Sequence, residues 1–202
     1  MEKYTKISSK NNFSIAKKSI DMYVKNLNNE QKFKFWIKTL LSCYGKIPNI
    51  IKTVDKIIDM QASSVSFIYD IYNKEKSTFN QLEKVIDLSE RKNKLLNIYV
   101  MIKNLIKTLS FNDSDFIEKK FIYNWTADDL AKEFNISLRT VYRKVDRIIT
   151  DIYNQALRKN WSLAFIESQI KDEPWLKEMF VKQVLEYFKL TRQCQSKSSS
   201  ES

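Results

Sequence analysis

The stretch Thr126–Ile149, TADDLAKEFNISLRTVYRKVDRII, decides the fold. Thr126 is placed to cap a helix whose third position, Asp129, is acidic, so T-x-x-D reads as a capping box with its carboxylate at the positive end of the helix dipole. A helix is therefore predicted to begin near Ala127. Leu130, Ala131 and Phe134 follow at i, i+1 and i+4, which puts two large apolar groups on one face and a small one where another helix can approach. Asn135 comes next, the residue after glycine that best tolerates a left-handed backbone, so the chain turns there and Ile136 plugs the core beneath. Ser137 can cap a second helix, along which Val141, Val145 and Ile148 or Ile149 continue an apolar stripe.

What remains of the second helix faces outward: Arg139, Thr140, Tyr142, Arg143, Lys144, Asp146 and Arg147. The chain has six arginines against 29 lysines, and four of the six are Arg139, Arg143, Arg147 and Arg158. Lysine suits a diffuse field or a soluble surface, whereas planar bidentate recognition needs the guanidinium. A merely solvated basic face, with arginines clustered by chance, is the competing reading.

This segment resembles the helix-turn-helix of the sigma-70 region 4 group, which also includes response-regulator output domains and some phage late-gene activators. The resemblance extends upstream through Leu109–Trp125, LSFNDSDFIEKKFIYNW, similar to the helix that precedes the motif in that family, with Phe116, Ile117 and Phe121 as its buried positions. It covers residues 109 to 152, about a fifth of the chain. Asn135 stands where the family usually carries glycine, and Trp125 where a smaller residue is common. The resemblance implies that the second helix, from Leu138 to about Thr150, lies in the major groove of double-stranded DNA. Arg139, Tyr142 and Arg143, with Thr140 at the margin, then become candidates for base edges, since an arginine fork pairs bidentately with guanine. Lys119, Lys120, Lys144 and Arg147 become candidates for phosphates. RNA polymerase core is the protein partner such a module implies.

Composition bounds the remainder. One glycine and two prolines leave few devices for hairpins in 202 residues with 43% hydrophobic content, so the fold class is all-α. The formal charge is +11, and +7 of it falls in residues 1–60, consistent with a polyanionic partner, although an AT-rich genome also inflates lysine and asparagine. With no histidine, and with Cys43 and Cys194 lacking any neighbouring ligand pattern, a zinc or Cys/His catalytic site has no material. A single glycine, Gly45, excludes a glycine-rich phosphate loop. Asp128, Asp129 and Glu133 read as a dipole-complementing face rather than a nuclease metal site. The expectation is a protein that is not an enzyme and uses no cofactor or metal. The absence of a signal-peptide core or an apolar run of membrane-span length places it in the cytoplasm, at the nucleoid.

Along the chain, a helical N-terminal bundle (1–80) precedes a long connecting helix (81–108), the helix-turn-helix domain (109–160), a helical C-terminal extension (161–192) and a disordered tail (193–202). Helices are expected over Ser14–Asn26 and Asn29–Cys43, the latter with Phe33, Trp36, Ile37, Leu40 and Leu41 on one broad face. A third opens near Pro48, and a further segment runs Ser63–Tyr72. A long helix, Phe79–Leu109, carries Leu95, Tyr99, Ile102, Ile106 and Leu109 as a seam like that of a coiled coil, packed within the monomer by default and otherwise a homodimer contact. QKFKFWIK, Gln31–Lys38, interleaves lysines with aromatics as a base-stacking strip would, but core packing is the stronger reading. Helices Leu163–Lys171 and Pro174–Leu190 close the chain. Three functions fit: a sequence-specific transcriptional regulator acting at promoters through RNA polymerase, as activator or divergent alternative sigma factor; a DNA-binding component of a phage packaging or recombination machine; or an interaction protein that keeps the fold without binding DNA.

Overall fold

Asn28 and Gln31 open the first element reciprocally, each side chain accepting the other's backbone N–H at 2.8 and 3.1 Å, and this capping box starts α1, Asn29–Tyr44. The structure, a computed structural model, describes residues 24–72 and 75–198. The helix expected over Ser14–Asn26 lies outside them except for helical backbone at 24–26. After α1 come α2 (Ile47–Tyr72), α3 (Glu75–Ile106), α4 (Phe111–Ile117) running on into a π-helical turn (Glu118–Ile122), α5 (Ala127–Glu133), α6 (Leu138–Arg158), α7 (Leu163–Gln169) and α8 (Pro174–Ser198). The described residues contain no strand, and the fold is all-α.

The centre of the molecule is α1, which packs against α3, the π turn, α6, α7 and α8. Its buried residues, Phe33, Phe35, Trp36, Ile37, Thr39, Leu40, Leu41 and Cys43, span roughly two thirds of its circumference, wider than the face read from the sequence. Thr39 is tolerated there because its hydroxyl donates to the carbonyl of Phe35 at 2.9 Å. Burial of Cys43 pushes its thiol up to about 12, an inert group beside Met179. The aromatics of QKFKFWIK belong to the core: Trp36 stacks on Phe180 with centroids 4.1 Å apart, and Phe33 meets Tyr153 edge-on at 5.2 Å. Base stacking by this strip is thereby overturned. Its lysines lie at the margins, Lys34 on Glu30 and Lys38 on Asp146 of α6.

Pro48 sits in the first turn of α2, where its missing N–H costs nothing, and the two segments expected on either side of 60 form one continuous helix. With α3 it makes an antiparallel hairpin, tied by Lys92 to Asp55. The inward stripe of α3, Leu95, Ile98, Ile102, Leu105 and Ile106, is buried against the rest of the fold, and Tyr99 stacks flat on Tyr44 at 4.7 Å. The seam expected as a coiled coil is thus an intramolecular contact. At the far end, Glu173 is 1% exposed and accepts two hydrogen bonds from Arg91 of α3, at 2.7 and 3.0 Å, and one from Trp175 Nε1 at 2.6 Å, fixing the start of α8. The backbone of α8 is helical through Ser198, past Gln193, where the expected disordered tail begins.

One hydrophobic core runs through residues of α1, α3, α4, α5, α6, α7 and α8, without a break in packing at 109 or 160. No helix among the described residues is long and apolar enough to cross a membrane.

Candidate nucleic-acid interface

Thr126 caps α5 through a complete box. Its hydroxyl oxygen accepts from the Asp129 N–H at 3.1 Å, and Asp129 Oδ2 accepts from the Thr126 N–H at 3.0 Å and its O–H at 2.6 Å. These donors hold the Asp129 carboxyl below its ordinary value. Leu130 is fully buried and Ala131 half-buried, as a closely crossing helix requires. The turn is a Schellman motif. Asn135 adopts φ 49°, its N–H bonds the carbonyl of Lys132, and the N–H of Ile136 bonds that of Ala131 at 3.0 Å. Asn160 repeats the arrangement after α6 with φ 58° and Trp161 bonding Ala156, and Asn124 takes φ 56° after the π turn. Each left-handed position among the described residues is an asparagine, the substitute available to a chain with one glycine. That glycine, Gly45, ends α1 against the π turn, where a Cβ would lie 3.1 Å from Ile122 Cγ2.

Ser137 caps α6, accepting from the Thr140 N–H at 3.2 Å, and its hydroxyl lies 2.8 Å from that of Thr140. Val141, Val145, Ile148, Ile149, Ile152 and Ala156 are buried along α6. This stripe turns Arg139, Tyr142 and Arg143 to solvent on the opposite face, with Tyr142 58% exposed and Leu138 exposed beside them. Neither Arg139 nor Arg143 has an ion-pair or hydrogen-bond partner among the described residues. Thr140 is exposed, but its hydroxyl is engaged with the cap. Asp146, on the same face, pairs with Lys38 at 3.1 Å.

The four phosphate candidates are placed differently, each in internal contacts. Lys119 bonds Asp115 at 3.0 Å and Glu133 at 2.8 Å and lies over the rings of Trp125 and Phe134. These carboxylates raise its pKa. Lys120 is half-buried, reaches the Trp125 carbonyl at 3.4 Å, and has its pKa lowered by burial. Lys144 lies 4.6 Å above the Phe116 ring and 3.8 Å from Asp113, which also accepts from Arg147 at 2.7 Å. Asp113, Asp115 and Glu133 thereby clamp α4 and the π turn onto α5 and α6. Trp125, without a role from sequence, is part of that clamp. Lys132, exposed on the outer side of α5, is not among the candidates named from the sequence, although its place beside buried Leu130 and half-buried Ala131 marks it as outward.

Among the described residues no three His, Cys, Asp or Glu side chains are grouped to hold a metal ion. No protein-family model matches this chain, and no solved structure matches it. Among curated proteins it is similar to the Reticulocyte-binding protein homolog 1 of Plasmodium falciparum (isolate 3D7), 27% identical over 175 residues. The match takes in 86% of this chain and 6% of that protein's length.

Proposed function

We propose that α5 and α6 are a helix-turn-helix of the sigma-70 region 4 type and that the chain is a sequence-specific DNA-binding regulator acting at promoters by engaging RNA polymerase. The observation that carries the reading is the unpaired state of Arg139 and Arg143, four residues apart on the exposed N-terminal half of α6, in a segment whose other candidate cations are tied internally. Two unspent guanidiniums on one rigid face suit bidentate contact to guanine edges, with Tyr142 between them for apolar or hydroxyl contact. Lys132, exposed at the margin, is suited to phosphates, while Lys119, Lys120, Lys144 and Arg147 act chiefly as ties. The sequence resemblance over 109–152 supplies the promoter and polymerase part of the reading.

Selection from random duplex DNA with the full chain tests it. A preferred site is expected, and Arg143→Ala should weaken binding to that site by roughly 5- to 150-fold, relaxing preference at one base pair. Selection without a preferred site, or an Arg143→Ala protein with unchanged preference, removes the assignment. Co-purification of polymerase core supports the promoter role, and a DNA-binding protein that never retains polymerase removes that part alone.

A further inference from the structure

The outward side of α3 carries a second apolar repeat, distinct from the buried one. Phe79, Leu82, Ile86, Ser89, Asn93, Leu96 and Val100 recur at alternating steps of three and four over a stretch of about 32 Å. Its five apolar members are each between 37 and 69% exposed. The stripe facing α2 and the core is a different one, with Val85 and Leu88 half-buried, Lys92 tied to Asp55, and Leu95, Ile98 and Ile102 buried. A single exposed leucine needs no explanation, whereas five large apolar groups on one heptad stripe, interrupted by Ser89 and Asn93, form a seam without a partner among the described residues.

The residue types select the occupant. With Phe79 at heptad position a, the β-branched Ile86 and Val100 fall at a and Leu82 and Leu96 at d, the assignment that favours two parallel strands. Asn93 is the lone polar residue at a, where a second Asn93 across a two-fold axis can hydrogen-bond it and fix the register. Ser89, at d, already donates to the carbonyl of Val85 at 2.8 Å, so its burial leaves no orphaned hydroxyl. The flanking charges select the direction. An antiparallel pair would set the e-position flank, Glu83 and Glu90, against its own copy, whereas a parallel pair places Glu90 beside Val85 and Lys92 beside Asn97 of the other copy, with no like charges opposed.

We infer that the chain forms a parallel, two-fold homodimer through the outer seam of α3, with Asn93 meeting its counterpart near the middle. The inference is independent of DNA binding and can fail or hold without it. The α1-centred core stays within each subunit, and the DNA-reading faces proposed above would be paired by the axis.

Sedimentation equilibrium of the full chain should give twice the 24.1 kDa chain mass. The double variant Ile86→Glu/Leu96→Glu, both sites being exposed, should return the mass to that of one chain with an unchanged helical circular-dichroism spectrum. In a Cys194→Ser background, Asn93→Cys should cross-link into a disulfide dimer under mild oxidation, and Asp87→Cys, on the flank, should not. A monomer at about 100 times the concentration of a typical micromolar dimer's Kd overturns the inference. So does a dimer that survives Ile86→Glu/Leu96→Glu, or one that cross-links equally through both cysteine sites.

Discussion

Replacing Phe33 with alanine tests whether the α5–α6 unit stands on its own or is held by α1. Phe33 is 3% exposed on α1, its ring edge-on to Tyr153 of α6 at 5.2 Å and an interplanar angle of 85°. Removing a buried phenyl costs about 3–5 kcal/mol, because the cavity collapses only partly. The aromatic pair itself contributes about 0.5–1.5 kcal/mol, so a double-mutant cycle with Tyr153→Ala should return a coupling energy of that size. Against a total stability of about 5–15 kcal/mol this loss is large, and for a chain of this length it lowers Tm by roughly 6–20 °C. Urea titration followed by far-ultraviolet circular dichroism and by tryptophan fluorescence should shift as one transition, since the core is continuous from α1 through α6. Amide exchange should report the same loss at Val145–Ile152. Two separable transitions, with exchange in α6 untouched by Phe33→Ala, would refute the single-core reasoning and restore an independent domain at 109–160.

Glu173→Ala should cost about 2–3 kcal/mol in a urea titration, below the value for a fully buried pair because Arg91 is 41% exposed and its freed guanidinium regains water; Glu173→Gln should recover part of it. Asn135→Ala, forced into φ 49°, should lose about 1–2 kcal/mol, whereas Asn135→Gly should match or slightly exceed the parent protein. Carbon-13 titration should place the Asp129 carboxyl below 3.8 and Thr126→Val should move it back up; being depressed in the folded state, its contribution is present at neutral pH and lost as pH falls through that lowered value. If DNA binding is established, Lys132→Ala should flatten the salt dependence of affinity by about one unit of slope, while Lys119→Ala should leave the slope unchanged and lower stability instead.

Legibility in the sequence followed the range of the interaction. The Thr126 box, the Ser137 cap, the left-handed Asn135 and the buried Val141, Val145, Ile148 and Ile149 are set by residues within one or two turns of each other, and all were readable. Asn124 and Asn160 adopt the same backbone conformation without a legible signal, because asparagine is so common in this chain that the residue alone marks nothing. The commitment of Lys119 was out of reach, since Glu133 is 14 residues away and only the crossing of the π turn with α5 brings them together. Lys38 and Asp146 meet across 108 residues. Periodicity also identified an apolar seam in α3 but not which of two stripes the fold covers: Leu95, Ile102 and Ile106 went inward, and the heptad from Phe79 to Val100 stayed outside. Nor could periodicity show that α1 is buried well beyond its predicted face, because Phe35 and Cys43 fall outside that face and are covered by α8, late in the sequence.

The formal charge of +11 therefore overstates the field available at the α6 face. Lys38, Lys119, Lys144 and Arg147 all face carboxylates of the fold, so each would have to exchange a partner to meet a phosphate, with little net gain in attraction. A face poor in uncommitted charge is a weak non-specific binder, and its discrimination must come from short-range geometry. The buried stripe of α6 supplies that geometry by fixing Arg139 and Arg143 four residues apart, a rise of about 6 Å, or roughly two base-pair steps of 3.4 Å. Contact through one such pair reads too few positions to single out a site. The second copy brought by the α3 seam would double the number of base positions read, which is why dimerisation and the scarcity of free cations belong to the same proposed mode of recognition.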